Sequence, residues 1–194
     1  MTRPVIIGNC SGFYGDRLAA AREMVEGGPI DVLCGDYLAE LTMLILAKAQ
    51  AKDPALGYAT TFLRQVEEVL GTCLERGIKI VSNAGGLNPA GLAAAIRDVA
   101  AKLGLSAKVA HVEGDDLRGN LDAITPPVEG KPVSANAYLG GWGIAEALAA
   151  GADVVVRPRH RIAEDVLAFG DGEALRSRDA RRGRLHAHTE HRIH

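Results

Sequence analysis

Three acidic side chains are the candidate catalytic groups of this chain: Asp36, Glu40 and Asp115. Asp36 and Glu40 are four residues apart, so on a helix both carboxylates fall on one face, which suits acid–base chemistry or a divalent cation. Asp115 lies between Glu113 and Asp116, and clustered acids either hold a cation or share protons at shifted pKa values. The alternative is structural, with Asp36, Asp115 or Asp116 capping a helix and Glu40 solvated.

A turn rich in glycine and asparagine, SNAGGLNP, is a candidate anion site. Gly85 and Gly86 are expected to expose backbone N–H groups just before a helix, a geometry that can cradle phosphate or carboxylate. Asn83 and Asn88 add side-chain amides that can orient a ligand. The turn has no lysine, so it is not a P-loop. A purely structural turn is the alternative.

The turn NCSGFYGD contributes four more candidate binding residues: Asn9, Ser11, Gly12 and Asp16. Its glycines permit a tight turn and close approach of the backbone to a ligand. Their spacing is not that of the dinucleotide fingerprint, which weakens that interpretation. Asp16 is either a ligand contact or the N-cap of the following helix.

A later polar segment, SANAYLGGWG, offers Asn136 and Tyr138 as further binding residues. Amide and hydroxyl groups beside aromatic surface suit a site that holds an apolar or acyl ligand and fixes its polar atoms. Trp142 is most simply a packing anchor, and His111 a buried sheet residue. The sequence assigns no metal ligands and leaves the cofactor unknown.

These residues have to be positioned by a parallel sheet. Four short β-branched runs each end in a polar turn and lead into a helical pattern, and residues 152–156 (ADVVV) form a fifth buried run. We predict an α/β fold, a mostly parallel sheet of about five strands with crossover helices and Rossmann-like layering. Helices are predicted at residues 16–26, 37–51, 60–76 and 90–103, with a last one from about Gly143. Because ligands bind at the carboxyl ends of such strands, the polar turns are expected to form one site.

Composition limits the function classes. The chain has 194 residues, 47% of them hydrophobic, and a net charge of −2, so no global basic field attracts nucleic acid or a membrane surface. It contains no apolar run long enough to span a bilayer. Three widely spaced cysteines fit a reducing cytoplasm better than a disulfide framework. We therefore expect a cytoplasmic protein with no nucleic-acid or membrane partner.

The chain changes character after residue 156. Residues 157–194 contain nine arginines and five histidines, against one histidine, His111, before them. We predict two parts, an α/β domain over residues 1–156 and a divergent, disordered tail over residues 157–194. A histidine tract that binds metal is the alternative for the tail.

Several of these segments resemble the N-terminal part of the acyclic terpene utilisation (AtuA) family. The resemblance covers about residues 4–156 and rests on NCSGFYGD, GDYLAELTM, SNAGGLNP, VEGDD and SANAYLGGWGIAEAL in this order. It implies a role in the breakdown of citronellol, geraniol and related branched compounds through CoA thioesters, by a lyase-type or acyl-CoA reaction. The positions that match the family's motifs are Ser11, Asp16, Asp36, Glu40, Asn83, Gly85, Gly86, Asn88, Asp115 and Asn136.

The resemblance also implies a longer protein, with a sequence like TGRVTDAS after ADVVV. Here the chain continues RPRHRIAED. GC-rich codons that can specify residues 157–160, such as CGG-CCG-CGT-CAC-C, contain codons for Gly-Arg-Val-Thr one nucleotide on. We therefore hypothesise that the tail is read out of frame and the chain is truncated. The expected ligand is a small molecule or an acyl-CoA, and the expected assembly a homo-oligomer or a hetero-complex. The alternatives are a noncatalytic binding or scaffold subunit of an acyl-CoA enzyme complex and an inactive fragment.

Overall fold

The computed structural model of the chain describes residues 4–127 and 130–159. Its strands are β1 (Ile7–Asn9), β2 (Val32–Gly35), β3 (Lys79–Ser82), β4 (Val109–His111) and β5 (Val154–Val156). Its helices are α1 (Ala20–Gly27), α2 (Glu40–Lys52), α3 (Thr60–Arg76), α4 (Pro89–Lys102) and α5 (Trp142–Ala149), with a 3-10 turn at Leu121–Ala123.

The five strands form one sheet in the order β1-β2-β3-β5-β4, and every pair is parallel. The register places Leu33 beside Ile80, and Val155 between Val81 and Ala110. This arrangement confirms the predicted α/β fold with crossover helices. All five predicted strands are present, and the fifth, predicted over residues 152–156, is observed at Val154–Val156.

Helices cover both faces of the sheet, as the buried β-branched strands require. On one face α1, α3 and α4 pack in a core with Leu33, Ile80 and Val154. On the other face α5 packs against Val81 and Val155. The chain runs outward from β1 to β4 and then returns to insert β5 between β3 and β4. In sheets of this kind the ligand crevice lies where the strand order reverses, at the carboxyl ends of β3, β5 and β4.

Two helices begin later than predicted, for a local reason in each case. Helix α1 starts at Ala20 rather than Asp16, because the Asp16 carboxylate accepts hydrogen bonds from the amides of Gly12 and Arg17 and closes a loop. Helix α2 starts at Glu40 rather than at residue 37, because the backbone amide of Tyr37 donates to Asn83. Helix α3 has the predicted limits.

Of the predicted tail, the structure describes residues 157–159, and the remainder, with its histidine tract, lies outside the described residues. Within the described ranges, no helix combines the length and the apolar character that crossing a membrane requires.

Candidate functional site

A buried carboxyl group lies just beyond the end of β4. Asp115 is 5% exposed, and Nδ2 of Asn136 donates a 2.6 Å hydrogen bond to its Oδ2. The backbone around it is also fixed, since the Ala137 amide donates to the Asp115 carbonyl and the Leu117 amide to the Ala135 carbonyl, both at 2.8 Å. These bonds pair the turn after β4 with residues 135–137 and hold the two side chains together.

Burial controls the acidity of Asp115. Loss of hydration raises its pKa to about 6, although the Asn136 amide acts in the opposite direction by stabilising the carboxylate. Asp116 raises the pKa slightly further, and the Arg157 guanidinium lowers it slightly. A carboxyl with a pKa this close to neutrality can both accept and deliver a proton.

Arg157 is the site residue that sequence reasoning missed. It follows β5 directly and is 2% exposed. Its amide donates to the Ser82 carbonyl, and its own carbonyl accepts from the Gly85 amide, both at 3.0 Å. The sequence contained a signal for Arg157, because a polar residue directly after a buried strand of a parallel sheet lies at the ligand-binding edge. The arginine content of the segment that follows pointed instead to a solvated tail.

The other acids near Asp115 do not join it. Glu113 Oε1 lies 3.3 Å from Nε2 of the buried His111. Asp116 forms an ion pair with Arg118, at 2.7 Å. The prediction that three carboxylates cluster at this strand end is therefore wrong, since each side chain takes its own partner. Across residues 4–127 and 130–159, no group of three or more His, Cys, Asp or Glu residues could hold a metal ion.

A second polar group joins the ends of β2 and β3. Asn83 is fully buried; its Nδ2 donates to Asp36 Oδ1 at 2.6 Å, and its Oδ1 accepts from the Tyr37 amide at 2.8 Å. The Asp36 amide donates to the Ser11 carbonyl at 3.0 Å, which connects the turn after β1. The structure thus brings together three predicted residues, Ser11, Asp36 and Asn83.

Asp36 and Glu40 do not share a helix face, and that prediction is wrong. Helix α2 begins at Glu40 with Ala39 as its N-cap, so Asp36 precedes the helix and does not cap it either. Glu40 is exposed and pairs with Arg159; its own backbone amide and that guanidinium lower its pKa. Asp36 and Asp115 follow strands separated by three sheet spacings, about 14 Å. The three predicted catalytic acids therefore occupy separate places.

The turn after β1 is closed by its own side chains. Asp16 accepts from the amides of Gly12 and Arg17, at 3.0 and 2.7 Å, and these bonds lower its pKa. Ser11 is buried, and its hydroxyl donates to the Phe13 carbonyl at 3.0 Å. Asp16 is not a helix N-cap, since α1 begins at Ala20. These hydrogen bonds fix the shape of the turn.

The glycine turn after β3 also bonds within the protein. The Gly85 amide donates to the Arg157 carbonyl, and the Gly86 amide to the Asn83 carbonyl at 3.4 Å. Both glycines are buried, so the prediction that they expose N–H groups to an anion is wrong. Asn88 Oδ1 accepts from Gly91 as the N-cap of α4. Glycine is needed here because a Cβ at Gly85 would lie 2.6 Å from the Arg157 oxygen.

The remaining predicted binding residues lie towards solvent. Tyr138 is 62% exposed, and the Arg159 guanidinium lies 5.8 Å from its ring centre, over the ring. Tyr138 follows Asn136 by two residues, in the segment that leads to α5. Asn9 is exposed at the end of β1, the edge strand farthest from Asp115.

Sequence reasoning also missed a buried polar group behind the first turn. The Tyr37 hydroxyl donates to Gln65 Oε1 and lies 3.9 Å from Cys10 Sγ. Gln65 Nε2 donates to the carbonyls of Arg17 and Leu18, at 3.1 and 3.3 Å. Burial raises the pKa of Tyr37, so the phenol remains neutral and ties the turn to α3.

The comparison with known protein families agrees with the sequence motifs. A sequence model described as "Acyclic terpene utilisation family protein AtuA" matches residues 5–167. The match ends eleven residues beyond the predicted boundary at 156. Searches of curated proteins and of solved structures found no match. The family description points to acyclic terpene utilisation and defines no reaction. Since the match covers most of the sequence, the chain belongs to the acyclic terpene utilisation family AtuA.

Proposed function

We propose that this chain is an enzyme of acyclic terpenoid breakdown that moves a proton on a branched acyl-CoA, with Asp115 as the acid–base group. The observation that carries the proposal is the position of Asp115, buried beside the point where the strand order reverses, with its pKa raised to about 6. Perturbed carboxyls in such crevices are the groups that enzymes use for proton transfer. We place the protein in the cytoplasm, on the basis of its three free cysteines.

The chemistry follows from the two protonation states of Asp115. As a carboxylate it can take a proton from the carbon next to a thioester carbonyl, and as an acid it can return that proton to a neighbouring atom. Such transfers are steps of lyase and isomerase reactions. Asn136 fixes one carboxyl oxygen through its 2.6 Å bond, which sets the direction from which a substrate proton can approach the other oxygen.

Tyr138 and Arg159, which contact each other, complement the two ends of a CoA thioester. Tyr138 offers exposed aromatic surface to an apolar acyl chain, and Arg159 offers a cation over that ring to an anionic phosphate. Arg159 is already paired with Glu40, so an incoming phosphate would exchange one anion for another at the guanidinium. Because the Glu40 side chain is 82% exposed, water can replace the guanidinium at that carboxylate when a phosphate binds.

The test is turnover of CoA thioesters of citronellic and geranic acid, followed by mass spectrometry of the products. Asp115→Asn keeps the side-chain volume and the partner Asn136 but cannot transfer a proton. The matched control is Asp98→Asn, which removes an exposed carboxylate from α4. We expect kcat to fall about 100- to 10,000-fold in Asp115→Asn and to stay unchanged in Asp98→Asn. Full activity in Asp115→Asn would contradict the proposed role.

A noncatalytic subunit of an acyl-CoA enzyme complex is the second candidate. It is favoured by the apolar side chains that α2 exposes, Leu41 at 70%, Leu44 at 37% and Ile45 at 44%. Exposed apolar surface on one helix is typical of a protein interface. If the isolated wild-type chain turns over no thioester but gains a stable complex with a thioester-processing enzyme, this second candidate is correct.

A further inference from the structure

The two edges of the sheet are protected to different degrees. At β4, all three residues are buried, and Nη2 of Arg97 donates a 2.7 Å hydrogen bond to the Val109 carbonyl. At β1, the opposite edge, Asn9 is exposed, and the preceding Val5 and Ile6 are 36% and 44% exposed. Apolar edge strands without a covering element readily pair with another strand.

The backbone of β1 has a defined outward side. The Ile6 carbonyl accepts from the Asp31 amide at 2.8 Å, and the Cys10 amide donates to the Cys34 carbonyl at 2.8 Å, both towards β2. Because the bonding direction alternates along a strand, the peptide groups of Ile7 and Asn9 point away from β2. Among the described residues, β2 is the only strand that pairs with β1. Within residues 4–127 and 130–159 no strand occupies this outward side, where a further strand can pair.

A groove of about 360 Å³ runs between this edge and helix α1. The helix side that faces the groove carries Ala20, Glu23, Met24 and Gly27. Met24 packs over the centre of β1, since a Cβ at Gly8 would lie 2.5 Å from Met24 Cγ. Small residues thus flank Met24 on both sides, which leaves room for a second helix to approach.

We propose that β1 pairs antiparallel with β1 of a second copy of this chain, about a two-fold axis near Gly8, and joins two sheets into one. The position of α1 fits this occupant. The helix contacts both β1 and β2, so it lies between them, and the two copies of α1 lie about two strand spacings apart. That separation is about 10 Å, the distance at which helices pack.

Two charged residues, Arg17 and Glu23, face the groove. The same two-fold axis brings each of them close to its oppositely charged counterpart in the second copy. Arg17 donates to both carboxylate oxygens of Glu23, at 3.0 and 2.6 Å. Glu23 is next to Met24, so the axis places the two Glu23 side chains close to each other. Each Arg17 that reaches its own Glu23 is then also within reach of the partner copy's Glu23. An unrelated strand could hydrogen-bond to the edge of β1, but it would not supply charged partners for Arg17 and Glu23.

The test is the mass of the full chain in solution, by light scattering over a concentration series. We expect the wild type to reach twice its chain mass of 20.4 kDa. Gly27→Leu is expected to be monomeric, because a side chain at Gly27 meets nothing within 4 Å in the single chain but fills the space for the second helix. Circular dichroism checks that the variant is folded.

Asn9→Pro tests the strand pairing itself. Proline removes the outward N–H of Asn9 and leaves the bonds to β2 intact, so a monomer is expected. Asn9→Ala keeps that N–H and should remain a dimer. Leu41→Glu, on the exposed face of α2, should also remain a dimer.

Three results would overturn the proposal. They are a monomeric wild type at every concentration, a dimer that survives both Gly27→Leu and Asn9→Pro, and a dimer that Leu41→Glu dissociates. None of these measurements uses a substrate, so the assembly is tested independently of the proposed reaction.

Discussion

Nδ2 of Asn83 donates a 2.6 Å hydrogen bond to Oδ1 of Asp36, and this contact is one of those that join the turns that follow β3 and β2. The other side-chain atom of the same amide, Oδ1, holds the Tyr37 backbone at 2.8 Å. Asn83 therefore fixes the direction of Asp36 and delays the start of α2. Asn83, predicted to bind a ligand, thus hydrogen-bonds to a turn of the protein itself.

Asn83→Ala should destabilise the fold. It leaves the Tyr37 amide without its acceptor and removes a bond to a carboxylate, so we expect the free energy of unfolding to fall by about 2–4 kcal/mol. Urea denaturation measures this change. The control, Asn120→Ala at an exposed position, should stay within about 0.5 kcal/mol of the wild type. Equal stability of the two variants would show that Asn83 does not hold these turns.

Gly85→Ala should also destabilise, for a steric reason. The new Cβ would lie 2.6 Å from the Arg157 carbonyl oxygen and 2.8 Å from Pro89 Cβ, and neither group is the end of a flexible side chain. We expect a loss of about 1–3 kcal/mol in the free energy of unfolding. Gly71→Ala, in the interior of α3 with Leu105 at 3.8 Å, should instead gain up to about 1 kcal/mol. A loss at Gly71 as large as that at Gly85 would contradict this account.

Asp115 should make stability depend on pH. Its folded-state pKa of about 6 is above the unfolded value, so folding favours the protonated form. The stability that this group adds is complete below about pH 4 and is lost as the pH rises through about 6, a change of about 3 kcal/mol. The Asp115→Asn variant has no titrating group at this position, so its stability lacks this dependence on pH.

Denaturation of both proteins from about pH 4 to pH 7 isolates the Asp115 contribution, because every other carboxyl is common to the two. As the pH rises, the free energy of unfolding of the wild type should fall relative to that of Asp115→Asn. A constant difference across this range would mean that Asp115 is not desolvated.

The sheet was predictable from the sequence because its signal is local. A β-branched run followed by a polar turn and a helical period identified all five strands, and the capping glycine Gly77 fixed the end of α3. The chain also contained the information that the polar turns gather at one edge. Strand order was not predicted, since which strands pair depends on contacts between distant segments.

The details of the site were less predictable, because a residue type does not reveal its partner. Gly85 and Asp16 have the composition of ligand-binding turns, but their groups bond to Arg157 and Gly12 of the same chain. The raised pKa of Asp115 depends on burial in the folded chain, where its turn bonds to residues 135–137, about twenty residues away in sequence. Both outcomes come from tertiary contacts that no spacing pattern encodes.

The hypothesis that the tail is read out of frame stays a prediction. Resequencing codons 150–170 is expected to reveal a one-base correction that restores a longer family frame. The family match continues to residue 167. A frameshift directly after Val156 does not by itself explain why the next eleven residues also match the family. A reading frame that repeatedly runs without correction to residue 194 would rule the hypothesis out.

If Asp115 is the acid–base group, its carboxyl titrates near neutrality at the carboxyl edge of the sheet, and carbon-13 NMR of that carboxyl measures this directly. This titration needs no knowledge of the substrate, and the spectrum of Asp115→Asn assigns the signal. We predict a titration midpoint at about pH 6. A midpoint near the ordinary aspartate value of about 3.9 would contradict the proposed acid–base role.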